Sequence, residues 1–137
     1  MSRDIVLVDT SVAVAYLVQD HDLHERALQR LRGVSRGLAG HAAFETYSVL
    51  TRLPASVRVS AHVAARMINV SFPETRQLGA RQQASLLKEL PAKGISGGAV
   101  YDALVAAAAA QHRLPLVSAG ARAAATYRKL GVDAQTL

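Results

Sequence analysis

The apolar run Ile5–Val8 constrains the fold of this 137-residue chain more than any other segment. The run is continuous and rich in β-branched residues, which is typical of a strand buried on both faces of a parallel sheet. Pro115–Ser118 is a second candidate for a central strand, and segments with helical periodicity separate the two. Strands that alternate with helices predict an α/β fold with a mostly parallel central sheet. Because this length lies near the commonest domain size, we expect a single domain over residues 1–137.

Capping residues and prolines divide the remaining sequence into helices and short strands. Ser60 and Thr75 are predicted N-caps, Ser96 is expected to open the alanine-rich helix, and Gly33 and Gly37 are expected to interrupt regular structure. The predicted helices cover residues 11–18, 22–31, 41–53, 61–70, 75–90, 96–112 and 121–130, and short strands are predicted at 38–39 and 132–134.

The chain is strongly basic, with a formal net charge of +6 and an isoelectric point near 10.3. Such a charge favours a polyanionic partner, because arginine and lysine neutralise phosphates. Thirteen of the sixteen basic residues are arginine, whose planar fork suits bidentate phosphate contacts. A GC-rich genome also favours arginine, so this preference alone does not assign a function.

The composition also restricts the compartment and the kind of metal site. Cysteine is absent, which excludes disulfides and thiolate metal sites. No apolar run reaches the roughly 18–20 residues that a membrane span needs. Residues 1–4 lead directly into the first predicted strand, without the basic and apolar regions of a signal peptide. We therefore expect a cytoplasmic protein with no membrane partner.

Three acidic residues lie on otherwise apolar segments, although the chain has only ten Asp and Glu. Asp9 follows the first strand, Glu45 interrupts an apolar stretch of helix, and Asp102 is the only charged residue between Lys93 and His112. A carboxylate among apolar residues is costly unless it is paired or binds a metal. Ligands of open α/β sheets bind beyond the carboxyl ends of the strands, where Asp9 is expected to lie. The pattern therefore favours a site built around a divalent cation.

Each acid also has a purely structural interpretation. Asp9 can serve as a strand-end turn residue or a helix N-cap, and Glu45 can form a helical salt bridge with Arg52. Asp102 near a helix start is favoured by the helix dipole. Taken singly, the three acids leave both interpretations open.

In order and spacing, the segments that carry these acids resemble the PIN-domain ribonucleases, specifically the VapC toxins of bacterial toxin–antitoxin pairs. The resemblance runs nearly end to end, and its closest part contains Asp102 and the alanine-rich helix. The matching segments are Val6–Ser11, His41–Glu45, Gly97–Val105, Leu114–Ser118 and Ala125–Val132. It implies a three-layer α/β/α sandwich with four to five strands surrounded by helices.

The resemblance also implies an endoribonuclease that depends on Mg²⁺ or Mn²⁺. The implied catalytic acids are Asp9, Glu45 and Asp102, with Asp9 and Asp102 as metal ligands. Hard cations of this kind take carboxylate oxygens and keep several waters. The implied partners are an RNA substrate, a VapB-type antitoxin and a second copy of the chain in a homodimer. The implied supporting hydroxyl groups are those of Thr10, Ser11 and Ser118.

One position departs from the family pattern. The family usually carries a fourth acid two residues after the Ser or Thr that ends its penultimate strand, and here that position is Gly120. The change is either natural or deliberate, and it implies weaker cation binding and attenuated activity. The alternative function is a PIN-fold protein that binds RNA or antitoxin without cleaving.

Overall fold

The computed structural model describes residues 4–137, and within them four parallel strands form one sheet in the order β2-β1-β3-β4. The strand count agrees with the predicted four to five. In chain order the elements are β1 (Ile5–Val8), α1 (Thr10–Leu17), α2 (His24–Leu31), β2 (Ser35–Leu38), α3 (Ala42–Thr51), α4 (Ala61–Ser71), α5 (Ala80–Glu89), α6 (Ala99–His112), β3 (Leu116–Ser118), α7 (Ala124–Lys129) and β4 (Ala134–Thr136).

The helices pack in two groups that flank the sheet. Helix α1 contacts α2 and α3, and α3 contacts α4, whereas α6 contacts α5 and α7. The result is the predicted three-layer α/β/α sandwich, in which β1 lies at the centre with Leu7 and Val8 fully buried. None of the described helices is long and apolar enough to cross a membrane.

Strand β2 covers Ser35–Leu38, so the prediction of a strand at 38–39 was too late in the sequence. Gly37 lies inside this strand and does not interrupt it. The close approach of the backbone at Glu74 leaves no room for a side chain at this position. A Cβ atom on Gly37 would lie 2.0 Å from the carbonyl carbon of Glu74. The amide of Glu74 donates to the carbonyl of Arg36 at 3.1 Å, which satisfies a backbone group on the outer edge of β2.

Thr75 was predicted to cap a helix through Leu90, and this prediction was wrong at its start. Helix α5 begins at Ala80, and Thr75 serves the sheet edge instead. Its hydroxyl accepts from the amide of Leu38 at 3.0 Å and donates to the carbonyl of Phe72 at 2.9 Å. The local capping signal was outweighed by long-range hydrogen bonds that satisfy the edge of β2.

Several other boundaries differ from the sequence predictions, and those of α6 and β4 are the most informative. Gly98, not Ser96, is the N-cap of α6, and no side chain caps that helix by a hydrogen bond. The last strand begins at Ala134, where it pairs with Leu116 of β3, and not at Val132. Strand β4 lies at the edge of the sheet, next to β3.

The sheet register brings the ends of β1 and β3 together. Val8 pairs with Val117, so Asp9 and Ser118 follow at the same carboxyl edge. The amide of Asp9 donates to the carbonyl of Val117 at 3.2 Å, which fixes the end of β1 against β3. Side chains that follow these two strands therefore meet at one place.

Candidate acidic site at the carboxyl edge of the sheet

A small cavity of about 70 Å³ lies at this carboxyl edge. The structure brings all three predicted acids to it, together with the predicted supporting hydroxyls and Gly120. The residues that line it are Asp9, Thr10, Ser11, Glu45, Asp102, Val105, Ser118, Gly120, Arg122, Ala123 and Tyr127.

Asp9 is buried, with 5% of its surface exposed, and it accepts three hydrogen bonds. Its Oδ1 accepts from the Ser11 hydroxyl and from the amide of Val12 at 3.2 Å, so it caps α1. Its Oδ2 accepts from the hydroxyl of Tyr127 at 2.8 Å. The N-cap interpretation of Asp9 is therefore confirmed, and the same side chain also lines the cavity.

Ser11 connects Asp9 to the segment that follows β3. Its hydroxyl donates to Asp9 and accepts from the amide of Ala119 at 3.0 Å. Ser118, the last residue of β3, is buried beside them and lines the cavity. Ser11 thus helps to hold the Asp9 carboxylate, whereas Ser118 is part of the cavity wall.

Glu45 lies in the first turn of α3 and points to the same cavity. Its Oε2 accepts from the hydroxyl of Thr10 at 3.3 Å, and its Oε1 lies 3.7 Å from Nε2 of His41. Within residues 4–137 it forms no ion pair with Arg52, the structural alternative that the sequence allowed. Its side chain is 38% exposed, which makes it more open to solvent than Asp9 or Asp102.

Asp102 lies in the first turn of α6, and its side chain is 14% exposed. Arg122 donates to both of its oxygens, with Nη1–Oδ2 and Nη2–Oδ1 distances of 2.9 and 3.1 Å. These hydrogen bonds and the charge of Asp102 raise the pKa of Arg122 above its usual value. The Arg122 side chain is itself 79% exposed, so it reaches the cavity from the solvent side.

Tyr127 is buried beside Asp9, with 2% of its surface exposed. Burial, followed by the negative charge of Asp9, raises the pKa of its hydroxyl far above the usual value. Tyr127 therefore keeps its proton and serves as a hydrogen-bond donor.

Sequence reasoning missed both Tyr127 and Arg122 as parts of the site. For Tyr127 a signal existed, because Ala123, Tyr127 and Leu130 have the spacing of a buried helix face, where a tyrosine hydroxyl needs a partner. For Arg122 the only available signal was its position just after β3, at the expected edge of the site.

Position 120 has room for a side chain. A Cβ atom added to Gly120 would have no other atom within 4 Å, and its backbone is not in the left-handed region. The glycine is therefore not required by packing or by backbone conformation.

The donor set has the chemistry that a hard cation requires, since the three acids offer only oxygen ligands. As the side chains stand, no group of three acids or histidines within residues 4–137 is close enough to hold one ion. Arg122 already occupies both oxygens of Asp102. The residues fit Mg²⁺ or Mn²⁺ by type, and the ion would replace Arg122 at Asp102.

Comparison of the chain with known proteins identifies its family. The model of the PIN domain family matches residues 6–129. Ribonuclease VapC27 of Mycobacterium tuberculosis is 46% identical over 125 residues, which cover 91% of each chain. Ribonuclease VapC40 of the same organism is 38% identical over 133 residues, covering 96% of this chain and 98% of the relative.

A solved structure has the same fold at low sequence identity. The crystal structure of VapBC2 from Rickettsia felis, bound to a DNA fragment from their promoter, matches with a TM-score of 0.64 at 15% identity. The match covers 97% of this chain and 98% of that chain. The sheet, its flanking helices and the acids at its carboxyl edge thus define an α/β sandwich protein with an acidic site. The chain belongs to the PIN-domain family and, within it, to the VapC ribonucleases.

Proposed function

We propose that this protein is an endoribonuclease, the toxin of a toxin–antitoxin pair, and that its activity depends on Mg²⁺ or Mn²⁺. The observation that carries the proposal is that Asp9, Glu45 and Asp102 line one cavity, in a chain whose relatives are named ribonucleases. A net charge of +6 supports a polyanionic substrate.

Asp9 and Asp102 would hold the cation, with Glu45 as a ligand directly or through water. A bound Mg²⁺ or Mn²⁺ would supply charge neutralisation at the scissile phosphate and would acidify a water for the attack. The chain itself supplies a carboxylate in a fixed orientation, because Ser11, Val12 and Tyr127 all donate to Asp9.

The remaining side chains have distinct roles in this proposal. Glu45, the most exposed of the three acids, accepts a proton from the attacking water. Arg122 leaves Asp102 and binds the RNA phosphate, since its exposed guanidinium can make the same bidentate contact to phosphate oxygens. Tyr127 does not act as a base, because its raised pKa keeps it protonated.

Glycine at position 120 supports an attenuated enzyme. A fourth acid would add negative charge to the cavity, and fewer charged ligands bind a hard cation more weakly. The second candidate function is a PIN-fold protein that binds RNA or antitoxin without cleaving, and the combination of Gly120 with the Arg122–Asp102 pair favours it.

Incubation of the purified protein with bulk RNA tests the proposal. We expect RNA decay with Mg²⁺ or Mn²⁺, none with EDTA, and none for Asp102→Asn, which removes a ligand without disturbing the Asp9 network. Equal decay of RNA by the wild type and Asp102→Asn would contradict the enzyme. RNA binding without any decay would support the binding protein instead.

We also propose a VapB-type antitoxin as partner, a homodimer, and action in the cytoplasm, where RNA and antitoxin are made. The support for the antitoxin is that the Rickettsia felis structure is a VapBC complex. An acidic cavity attracts a basic side chain of such a partner for simple Coulomb reasons. Co-expression with the small protein encoded beside the toxin, followed by co-purification and measurement of the complex mass, tests the partner and the dimer.

A further inference from the structure

Two aromatic rings stack close to Glu45 and Asp102, two of the acids that line the cavity. The rings of His41 and Tyr101 lie 5.2 Å apart between centroids, with an interplanar angle of 21°. Tyr101 directly precedes Asp102 on α6, and Nε2 of His41 lies 3.7 Å from the carboxylate of Glu45. The stacked pair therefore joins the start of α3 to the start of α6 beside two of the three acids.

This pair is not explained by the needs of the fold. Tyr101 is 52% exposed, so ring surface that His41 does not cover is open to solvent. His41 is the N-cap residue of α3, but its side chain makes no capping hydrogen bond. Aromatic residues are only 4% of the chain, and most of a tyrosine's stabilising area is normally buried.

We propose that Tyr101, supported from behind by His41, is a stacking platform for one RNA base next to the scissile phosphate. The inference rests on the proposed function, because it assigns a base subsite to the same RNA. Single-stranded RNA is commonly held by bases stacked on aromatic side chains, and any base can stack because each has a π-face.

The position of the ring matches this role. A base and its phosphate are joined through a single sugar, so a base on Tyr101 brings its own backbone to the adjacent acids and to Arg122. The platform holds a base by its face, and the cavity holds the phosphate. The expected ligand is a nucleotide in unpaired RNA, because a base inside a duplex cannot offer its face.

Binding of a fluorescently labelled, single-stranded RNA in EDTA measures the platform without cleavage. We expect Tyr101→Leu to weaken binding by about 5- to 100-fold, the usual effect of losing one stacked base. Tyr101→Phe and Tyr101→Trp should bind within about twofold of the wild type, since both keep a stacking face. Tyr47→Leu is the matched control, because Tyr47 is another exposed tyrosine but lines a separate groove with Phe72 and Pro73.

A second readout comes from Tyr101→Trp, because the chain has no tryptophan of its own. RNA should quench the fluorescence of this single indole, whereas an abasic oligonucleotide of the same length should not. Circular dichroism of each variant separates loss of binding from loss of the fold.

Three results would overturn the platform: no measurable RNA affinity in the wild type, unchanged affinity in Tyr101→Leu, or equal quenching by RNA and the abasic strand. If Tyr101→Leu keeps its RNA affinity but no longer co-purifies with the antitoxin, the ring belongs to a protein interface. Failure of the proposed enzyme is a separate result, because the platform can hold RNA in a chain that does not cleave.

Discussion

Arg122 donates to both carboxylate oxygens of Asp102, and so occupies the acid that is expected to hold the cation. An arginine from the chain itself thus fills the place that a metal ion, or a basic residue from an antitoxin, would take. Because the Arg122 side chain is largely exposed, screening by water keeps this pair weak, in the range of about 0–1 kcal/mol.

Arg122→Gln should therefore bind Mn²⁺ more tightly than the wild type, by about two- to fivefold, because the ion no longer competes with a weak ion pair. Titration followed by the electron paramagnetic resonance of free Mn²⁺ measures the affinity. RNA affinity should fall in the same variant, because a phosphate contact is lost. Arg128→Gln removes an exposed arginine outside the cavity and should leave Mn²⁺ affinity unchanged; an equal gain in both variants would contradict the role of Arg122.

Gly120→Asp should strengthen Mn²⁺ binding on the order of tenfold and raise RNA cleavage, because it adds a charged oxygen ligand to the cavity. A Cβ atom at position 120 would meet no other atom within 4 Å. Gly120→Asn has the same shape without the charge and should bind the ion much as the wild type does. If Gly120→Asp tightens metal binding but RNA decay stays at zero, the deficit of the enzyme lies elsewhere.

Tyr127→Phe should destabilise the fold by about 1.5–3 kcal/mol at neutral pH, the usual value of a hydrogen bond to a charged group. Above pH 10 the difference should shrink. The unfolded tyrosine then ionises, whereas burial beside Asp9 holds the folded one neutral, so the wild type loses about 1.4 kcal/mol per pH unit more than the variant. Urea denaturation at pH 7, 10 and 11 measures this, and a constant difference would exclude the shifted pKa.

Gly37→Ala should reduce the free energy of unfolding by about 1–3 kcal/mol, because its Cβ would overlap the backbone of Glu74. Gly120→Ala is the matched control, since its Cβ meets open space, and we expect a change within about 0.5 kcal/mol. Urea denaturation midpoints of the two variants decide the question. Equal midpoints would show that the segment at Glu74 moves away freely.

Local patterns predicted the α/β fold with its parallel sheet and singled out the three acids, whereas the three-layer sandwich was implied by the family resemblance. The run Ile5–Val8 indicated a central strand, and the rule for open α/β sheets placed Asp9 at the carboxyl edge, where ligands bind. That β1 and β3 are neighbours, so that Asp9 lies beside Ser118, is known only from the sheet register. What could not be predicted depends on pairs that are distant in sequence. The hydroxyl of Tyr127 donates to Asp9 across 118 residues, and the backbone of Glu74 approaches Gly37. The helix spacing around Tyr127 indicates that its ring is buried, but it does not identify Asp9 as the partner of the hydroxyl.

Thr75 shows the same limit for secondary structure. A threonine ahead of a helical pattern is a common capping signal. In the structure, however, the Thr75 hydroxyl accepts from the amide of Leu38 at the edge of β2 and donates to the carbonyl of Phe72. This edge is formed only when β2 pairs with β1, so the residues around Thr75 alone do not predict it.

The hydrogen bonds at Asp9 have a consequence for how such chains change over time. This carboxylate follows β1 and accepts hydrogen bonds from the start of α1 and from helix α7, and through Ser11 it is linked to the loop after β3. Its removal would therefore damage the fold whether or not the chain cleaves RNA. At position 120, in contrast, an added Cβ atom has no other atom within 4 Å, so the fold does not depend on which small residue stands there. The fold therefore tolerates the absence of an acid at position 120, whereas it depends on the carboxylate at position 9.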